Sequence, residues 1–275
     1  MSIQGIDVSH HQGEVDFAAV AKAGFSFAYV KATEGTGYTD PKFRENWRKL
    51  RDLEGTIHRG AYHFARPDSV GTEKDGELEA RDFALAIRKV GGAGPGMLPP
   101  ALDFEKYSEN TPEQNRPWVA AFVRVMEEEF GRPPVIYTGR NIWRYELGNA
   151  DDFIDCPLWL VRYSKRGAQG MTAVAERSHQ PLRWPRWTFW QWSGGGKFNH
   201  HGPVDGVNGD CDVNLFNGTK VELDALAGIK QVLTPSAARE LAGISNAIVY
   251  LEGVQDFHCT EQKRLGNVLE ELRKL

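Results

Sequence analysis

Leu98-Pro99-Pro100-Ala101-Leu102-Asp103-Phe104-Glu105 is a strand-like run that ends in two acids one residue apart. Residues i and i+2 of a strand project from the same face, roughly 6.5–7 Å apart along the chain. Asp103 and Glu105 therefore point together, and Phe104 points the other way. Two carboxylates in one cleft repel, which raises at least one pKa if they come close. A protonated carboxyl beside a charged one suits general-acid cleavage of a glycosidic bond. The same short motif also fits a solvated strand end, or a pair that meets an arginine or a metal.

Working outward, seven more β-branched or aromatic runs read as strands: Ile3–Ser9, Phe25–Ala32, Gly60–Ala65, Pro134–Gly139, Leu158–Tyr163, Thr188–Trp192 and Asp212–Phe216. Between the early ones, apolar residues recur at helical spacing. Phe43, Trp47, Leu50 and Leu53 form one stripe, and Leu78, Phe83, Ile87 and Val90 form another. Thr111-Pro112-Glu113-Gln114 carries a helix-start signature, with an N-cap threonine, a first-turn proline and a glutamine three past the cap. Gly131, followed by Pro133-Pro134, stops that helix. Strands joined by helices or long loops predict an α/β chain folded as a β/α barrel with a parallel core. Its chemistry is expected at the C-terminal strand ends. The later connections show no clear helix, above all Ser164–Trp187, so the barrel is expected to be irregular, a single domain with some helices missing.

After about residue 217 the aromatics almost vanish. Ile244, Leu251, Leu265 and Leu272 fall on a seven-residue repeat, with Val254, Val268 and Leu275 beside them and His258 and Glu261 interrupting the stripe. The division expected is a barrel over residues 1–218 and a helical C-terminal extension over 219–275. That extension either packs on the barrel or on itself, or serves self-association as a dimerising coiled coil or a wall-anchoring appendix.

Composition narrows the classes. The chain has 275 residues, 41% hydrophobic and 25% charged, which excludes a disordered, collagen-like or disulfide-dense miniprotein. No apolar run approaches the roughly 20 residues of a membrane span. With 33 basic and 37 acidic residues, the net charge of −4 gives no general footprint for nucleic acid. Cys156, Cys211 and Cys259 have no metal-type spacing, and free buried thiols are preferred over a Cys156–Cys211 bridge. Met1-Ser2 leads straight into the first strand with no secretory signal. Two accounts follow: a chain held in the cytoplasm until lysis, or a secreted one whose leader has been removed.

Two more acids sit at strand ends, Asp7 in Gly5-Ile6-Asp7-Val8-Ser9 and Asp212 in Asp210-Cys211-Asp212-Val213-Asn214. First and last strands of a closed barrel are neighbours, so both face one cavity. Buried charges are costly unless used or paired. Tyr62, Tyr107, Tyr137, Trp159, Tyr163, Trp190 and Trp192 lie in or just after strands. Aromatic platforms with adjacent polar groups such as Gln191 and Asn214 are what a glycan cleft needs, although strand alternation sends about half of these rings to the core. Trp190 and Trp192 share one face and leave Gln191 on the other. His10-His11, His58, His63 and His200-His201 form no metal-ligand run, and a protein-bound metal is not expected. Gly194-Gly195-Gly196 lacks the phosphate-loop pattern, and no G-x-S-x-G elbow is present. The Ser164–Trp187 loop, with Lys165, Arg166, Arg177, Arg183, Arg186, Trp184 and Trp187, reads either as a solvated loop or as a rim that touches anionic wall polymers.

In this order and spacing, the motifs resemble those of the glycoside hydrolase family 25 lysozymes, the Chalaropsis-type N-acetylmuramidases. The resemblance rests on Gly5-Ile6-Asp7-Val8-Ser9-His10-His11-Gln12, Val30-Lys31-Ala32-Thr33-Glu34-Gly35, Gly60-Ala61-Tyr62-His63-Phe64 and Leu102-Asp103-Phe104-Glu105. It continues through Ile136-Tyr137-Thr138, Leu158-Trp159-Leu160-Val161-Arg162-Tyr163, Trp190-Gln191-Trp192-Ser193 and Asp212-Val213-Asn214, covering roughly residues 3–217.

The resemblance implies an irregular barrel that hydrolyses the β-1,4 bond between N-acetylmuramic acid and N-acetylglucosamine in bacterial peptidoglycan, with no cofactor. By motif position Glu105 is the general acid/base, and Asp103 orients the 2-acetamido group as internal nucleophile or attacks directly. Asp7 and Asp212 stabilise the site. Glu34, Tyr62, Tyr107, Tyr137, Trp159, Tyr163 and Gln191 are the expected substrate contacts. A phage-type endolysin fits the missing leader. The rivals are a catalytically silent glycan-binding module and a metal-dependent deacetylase of the same polymer.

Overall fold

Side chains alternate between the two faces of every strand, and a sheet with one apolar face toward helices and another toward itself closes into a barrel. The computed structural model describes residues 3–67, 73–164 and 183–229. Its strands are β1 (Ile3–Val8), β2 (Phe25–Glu34), β3 (Tyr38–Thr39), β4 (His58–Phe64), β5 (Ala101–Asp103), β6 (Val135–Thr138), β7 (Leu158–Val161), β8 (Phe189–Ser193) and β9 (Asp212–Phe216). All but the short β3 close a ring in which β1 pairs with both β2 and β9. Each of the eight expected runs supplies one strand of this barrel. Seven barrel strands run parallel, and β9 alone runs antiparallel to its neighbours β8 and β1.

The helices are α1 (Phe17–Lys22), α2 (Phe43–Arg51), α3 (Glu73–Lys89), α4 (Pro112–Phe130), α5 (Arg140–Leu147) and α6 (Lys220–Leu226). The α4 start is built as its sequence indicates: the Thr111 backbone N–H donates to Gln114 Oε1 at 2.9 Å, closing a capping box. Gly131 ends it in the left-handed region at φ 67°. The expected lack of helices in the later connections is corrected at one place, because α5 links β6 to β7. It is only eight residues long, with two fully buried apolar side chains, Trp143 and Leu147. The barrel is irregular elsewhere: β8 passes to β9 through a 3₁₀ turn at Gly196–Phe198 with no α-helix between. Residues 165–182 of the long basic loop lie outside the described residues, whereas its Trp184 and Trp187 are buried. The strand expected over Leu98–Glu105 shrinks to three residues, since Pro99 and Pro100 carry no N–H for a ladder.

Two apolar layers result. Ile6, Val30, Leu102, Ile136, Leu160 and Trp190 face outward and pack with helix residues such as Trp47, Phe83 and Trp118. Phe27, Tyr29, Val135, Trp159, Phe189 and Phe216 fill the barrel interior. The interior has room for these rings because glycine stands opposite two of them: Gly5 pairs with Phe27 and Gly60 with Tyr29. A Cβ on Gly60 would lie 2.3 Å from the Tyr29 ring.

On the outer side, His63 is fully buried and joins two layers. Its Nε2 is 2.6 Å from Glu79 Oε2 of α3, and its Nδ1 is 2.8 Å from Thr33 Oγ1 of β2. Cys156 and Cys211 are both free and buried, so the alternative bridge does not form. The compact unit continues to Ile229, past the change in composition. It includes α6, whose Leu223 is buried in the inner layer and whose Asp224 Oδ1 lies 2.6 Å from His58 Nε2 of β4. The seven-residue stripe from Ile244 to Leu275, and Cys259, lie outside the described residues. No helix among the described residues is long and apolar enough to cross a membrane.

The glycine–aromatic pairing makes a specific prediction. Gly60→Ala gains β-propensity yet forces its methyl into a ring held on all sides. A net loss of about 1–3 kcal/mol is expected, read as a lower thermal midpoint; an unchanged or raised midpoint would show that the interior can relax around it.

Candidate active site

The inward positions at the barrel mouth are not apolar. Asp7 is the last inward residue of β1, Lys31 that of β2, and Asp103 ends β5. Asp212 is the first residue of β9, and because β9 runs antiparallel its start lies at the mouth where the parallel strands finish. Asp7 and Asp212 are direct register partners. Glu105 follows two residues beyond Asp103, after the strand has ended, while Phe104 turns outward and packs 6.0 Å from Trp118. With Tyr62, Phe64, Tyr137, Trp159, Tyr163 and Gln191, these residues line a cleft of about 240 Å³. A larger hollow of about 620 Å³ lies on the flank beside α1, but its Glu14 and Lys49 are already paired at 2.9 Å. It collects no acid cluster of this kind.

Asp7 is held from behind. Its Oδ2 accepts hydrogen bonds from Asn214 Nδ2 at 2.7 Å and Gln191 Nε2 at 3.0 Å. Both amides are fixed in turn. Trp159 Nε1 donates to Asn214 Oδ1 at 2.7 Å, and the hydroxyls of Tyr137 and Tyr163 donate to Gln191 Oε1 at 2.9 and 3.2 Å. A planar amide whose oxygen is saturated by donors must present its NH₂ group to its remaining neighbour, and that neighbour is Asp7.

Burial governs the acids' protonation. It raises Asp7, while hydrogen bonds from Asn214, Gln191 and Asp212 hold the rise back. Asp212 is pushed up to about 8 by burial and then by the charges of Asp7 and Glu105, and it hydrogen-bonds Asp7. One proton shared across that pair is the arrangement two adjacent carboxylates favour. Asp103 is raised well above the usual range by burial and by the nearby charges of Glu105 and Asp7. Its Oδ1 is buried without a hydrogen-bond partner among the described residues. Glu105 opens to solvent on the cleft side, yet the surrounding walls raise its carboxyl through burial and the Asp7 charge, against the pull of Lys31.

Lys31 is the one lysine or arginine lining this cleft among the described residues, and it is 7% exposed. Its ammonium lies 2.5 Å from Glu34 Oε2 and 4.9 Å from the centre of the Phe64 ring. Arg66 holds the other Glu34 oxygen, with Nε at 2.7 Å. Burial would raise Glu34, but the bonds from Lys31 and Arg66 outweigh it and leave its pKa low.

Of the residues singled out in the sequence, Asp7, Asp103, Glu105, Asp212, Tyr62, Tyr137, Trp159, Tyr163 and Gln191 come together in the cleft. Glu34 stands one step behind, clamping Lys31. Tyr107 does not line the cleft: it is 62% exposed, with its ring 6.5 Å from that of Tyr145. Trp190 and Trp192 belong to the outer core. Sequence reasoning missed Lys31, although the inward alternation Phe27, Tyr29, Lys31 was there to be followed; it also missed His11, which joins the lining. Other histidines pair singly with carboxylates, His10 with Asp40 at 2.7 Å, His58 with Asp224 and His63 with Glu79. Among the described residues no three of His, Cys, Asp and Glu are placed to hold a metal ion.

Comparison with known proteins agrees with this geometry. The pattern of the glycosyl hydrolases family 25 matches residues 6–201, a span that includes Asp7, Asp103 and Glu105. Lysozyme M1 of Streptomyces globisporus is 37% identical over 237 residues, covering 82% of this chain and 71% of that protein. The N,O-diacetylmuramidase of Chalaropsis sp is 33% identical over 77% of this chain and 96% of its own length. Among solved structures, the bacterial lysozyme from Streptomyces coelicolor superposes with a TM-score of 0.69 at 34% identity, over 84% of this chain and 99% of that one. Fold, acid-lined mouth and relatives converge, and the chain belongs to the family 25 glycosyl hydrolases.

Proposed function

We propose that this protein is a muramidase, cleaving the β-1,4 bond between N-acetylmuramic acid and N-acetylglucosamine in the glycan strands of bacterial peptidoglycan. The observation that carries this most directly is the Asp103–Glu105 lip. A solvent-facing carboxyl with a raised pKa stands beside a buried carboxyl, also raised, whose Oδ1 has no partner among the described residues. The first can give a proton to a leaving oxygen, and the second can take an N–H from substrate. Tyr62, Tyr137, Trp159 and Tyr163 form walls suited to the apolar faces of sugar rings. The names of the lysozyme and muramidase relatives support the same assignment.

In this scheme Glu105 protonates the glycosidic oxygen as its bond to C1 breaks. Asp103 accepts the N–H of the 2-acetamido group, whose oxygen forms a bond to C1 and retains the sugar as an oxazolinium-type intermediate. Glu105, now ionised, removes a proton from water as that water opens the ring, so the configuration at C1 is retained. Substrate assistance of this kind departs from the usual pair of opposed carboxylates. It suits two acids that leave one strand end together. Asp7 and Asp212 share a proton and hold negative charge near the developing oxocarbenium. Lys31, steadied by Glu34, keeps Glu105 and Asp103 from rising further. The site of action is the bacterial wall.

Three measurements test these roles. Glu105→Gln should lower kcat on purified peptidoglycan by about 10²–10⁴ while substrate binding persists; wild type alone should release muramic-acid reducing ends by mass spectrometry. Recovery of a covalent glycosyl–Asp103 adduct would exclude substrate assistance. Lys31→Met removes the charge that lowers both lip carboxyls, so the whole pH profile of kcat/KM should move to higher pH; a profile that keeps its limbs assigns Lys31 no electrostatic part.

Asp212 gives a stability test. Its carboxyl holds a proton in the folded state up to about 8 against 3.8 ordinarily. Between those values the folded chain binds more protons than the unfolded chain, so this group's contribution falls as pH rises. Asp212→Asn should therefore leave the thermal midpoint little changed near the lower value. The variant should gain increasingly toward the upper one, by about 2–4 °C per kcal/mol for a domain of this size. A gain that is the same at all pH values would contradict the shared proton.

A further inference from the structure

Beside the acid cleft, three arginines surround a second hollow. Arg140 and Arg144 project from α5, where residues i and i+4 share a face. Arg162 follows β7. With Gly139 and Val161 they line a space of about 450 Å³. Arginine stays charged at every accessible pH, so Arg140 and Arg144, four residues apart on one helix face, repel unless an anion lies between them. Arg140 and Arg144 make no ion pair with any described residue. The acid on their own helix, Glu146, is buried and turned away, accepting from Ser108 Oγ at 2.6 Å and Asn115 Nδ2 at 3.1 Å. The cleft has the opposite sign: four carboxylates against one lysine.

The two sites adjoin. Gly139 lies two residues past Tyr137 of β6, and Val161 lies between Trp159 and Tyr163 on β7. Those three aromatic residues line the cleft. Two residues of strand span roughly 7 Å, so a group hanging from a sugar in the cleft reaches the hollow across a few bonds. Muramic acid carries such a group: a lactyl ether that bears a short peptide rich in carboxylates. A guanidinium grips a carboxylate through two parallel hydrogen bonds, a stronger and more directional contact than an ammonium makes. A phosphate polymer lying elsewhere on the wall would have no tether to bring it here.

We propose that Arg140, Arg144 and Arg162 form a subsite for the carboxylates of the peptide stem attached to muramic acid, making the enzyme prefer stem-bearing glycan. The proposal rests on the muramidase assignment. It makes α5 a reader of the substrate's decoration, separate from the acids that cut.

The test uses the full chain and two substrates: soluble peptidoglycan fragments with intact stems, and the same fragments after an amidase has removed the stems. Wild type should cleave the stem-bearing form with the lower KM. In Arg140→Gln/Arg144→Gln, KM for the stem-bearing form should rise about tenfold or more, the scale of losing charge-assisted contacts, and for the stem-free form less than twofold. Arg162→Gln should act in the same direction, and thermal melting of each variant guards against misfolding. Equal effects on both substrates, or no effect on the stem-bearing one, would overturn the subsite. So would a variant that loses only its response to added teichoic phosphate polymer, which would assign the arginines to phosphate. If wild type releases muramic-acid reducing ends from neither substrate, the muramidase assignment fails, and the subsite with it.

Discussion

Asp7 sits at the centre of a crowding problem that shapes the rest of the barrel. Four carboxylates meet at one mouth with a single lysine, and removing any charge from water is costly unless it is paired or hydrogen-bonded. The molecule offsets this with neutral donors rather than with more cations. Asn214 and Gln191 give their amide hydrogens to Asp7, and the indole of Trp159 and the hydroxyls of Tyr137 and Tyr163 orient those amides. The aromatic residues are therefore both packing and polar support: one end of each ring system fills the interior and the other fixes an amide. Cationic neutralisation would have held the acids ionised. Amide support leaves their pKa values high, with Asp212 near 8, and a high pKa is what a proton donor to a glycosidic oxygen requires.

Lys31 shows how finely that balance is set. It does not touch the cleft as a free ammonium, because Glu34 takes part of its charge and Arg66 in turn takes part of Glu34's. The chain Arg66–Glu34–Lys31 carries one net positive charge to the mouth through three ionised groups. Glu34 thus influences the acids without lining their cleft.

Much of this was visible in the residues. β-Branched and aromatic runs marked all eight barrel strands, and period-two alternation placed Asp103 on the opposite face from Phe104 and Gln191 on the opposite face from Trp190 and Trp192. Other features carry no local signal. Nothing in Asp212–Phe216 says that β9 runs against its neighbours, since alternation is the same in either direction. Lysine in a strand ordinarily means solvent, which hid Lys31, and its partner Glu34 lies beyond a register slip between Lys31 and Thr33 that alternation alone does not reveal. The α5 helix has too few turns for a stripe to emerge, and the prolines that shorten β5 act on hydrogen bonds rather than on hydropathy. Periodicity reports which side a residue faces; strand direction and ion-pair partners arise only from tertiary placement.

The antiparallel β9 also orders events in time. β1 finds its first neighbour, β2, early in synthesis, but its second neighbour is the last barrel strand to leave the ribosome. Asp7 and Asn214, 207 residues apart in the chain, meet only when β9 slides between β8 and β1. Before that insertion β1 and β8 are open sheet edges, Asp7 lacks its Asn214 donor, and Asp212 is absent from the mouth. Contacts of such separation carry a larger loop-closure cost than the β1–β2 pairing. Assembly of the acid cluster and closure of the barrel are thus one event, so a nascent chain that stops short of β9 holds the cutting residues Asp103 and Glu105 without the surroundings that set their protonation.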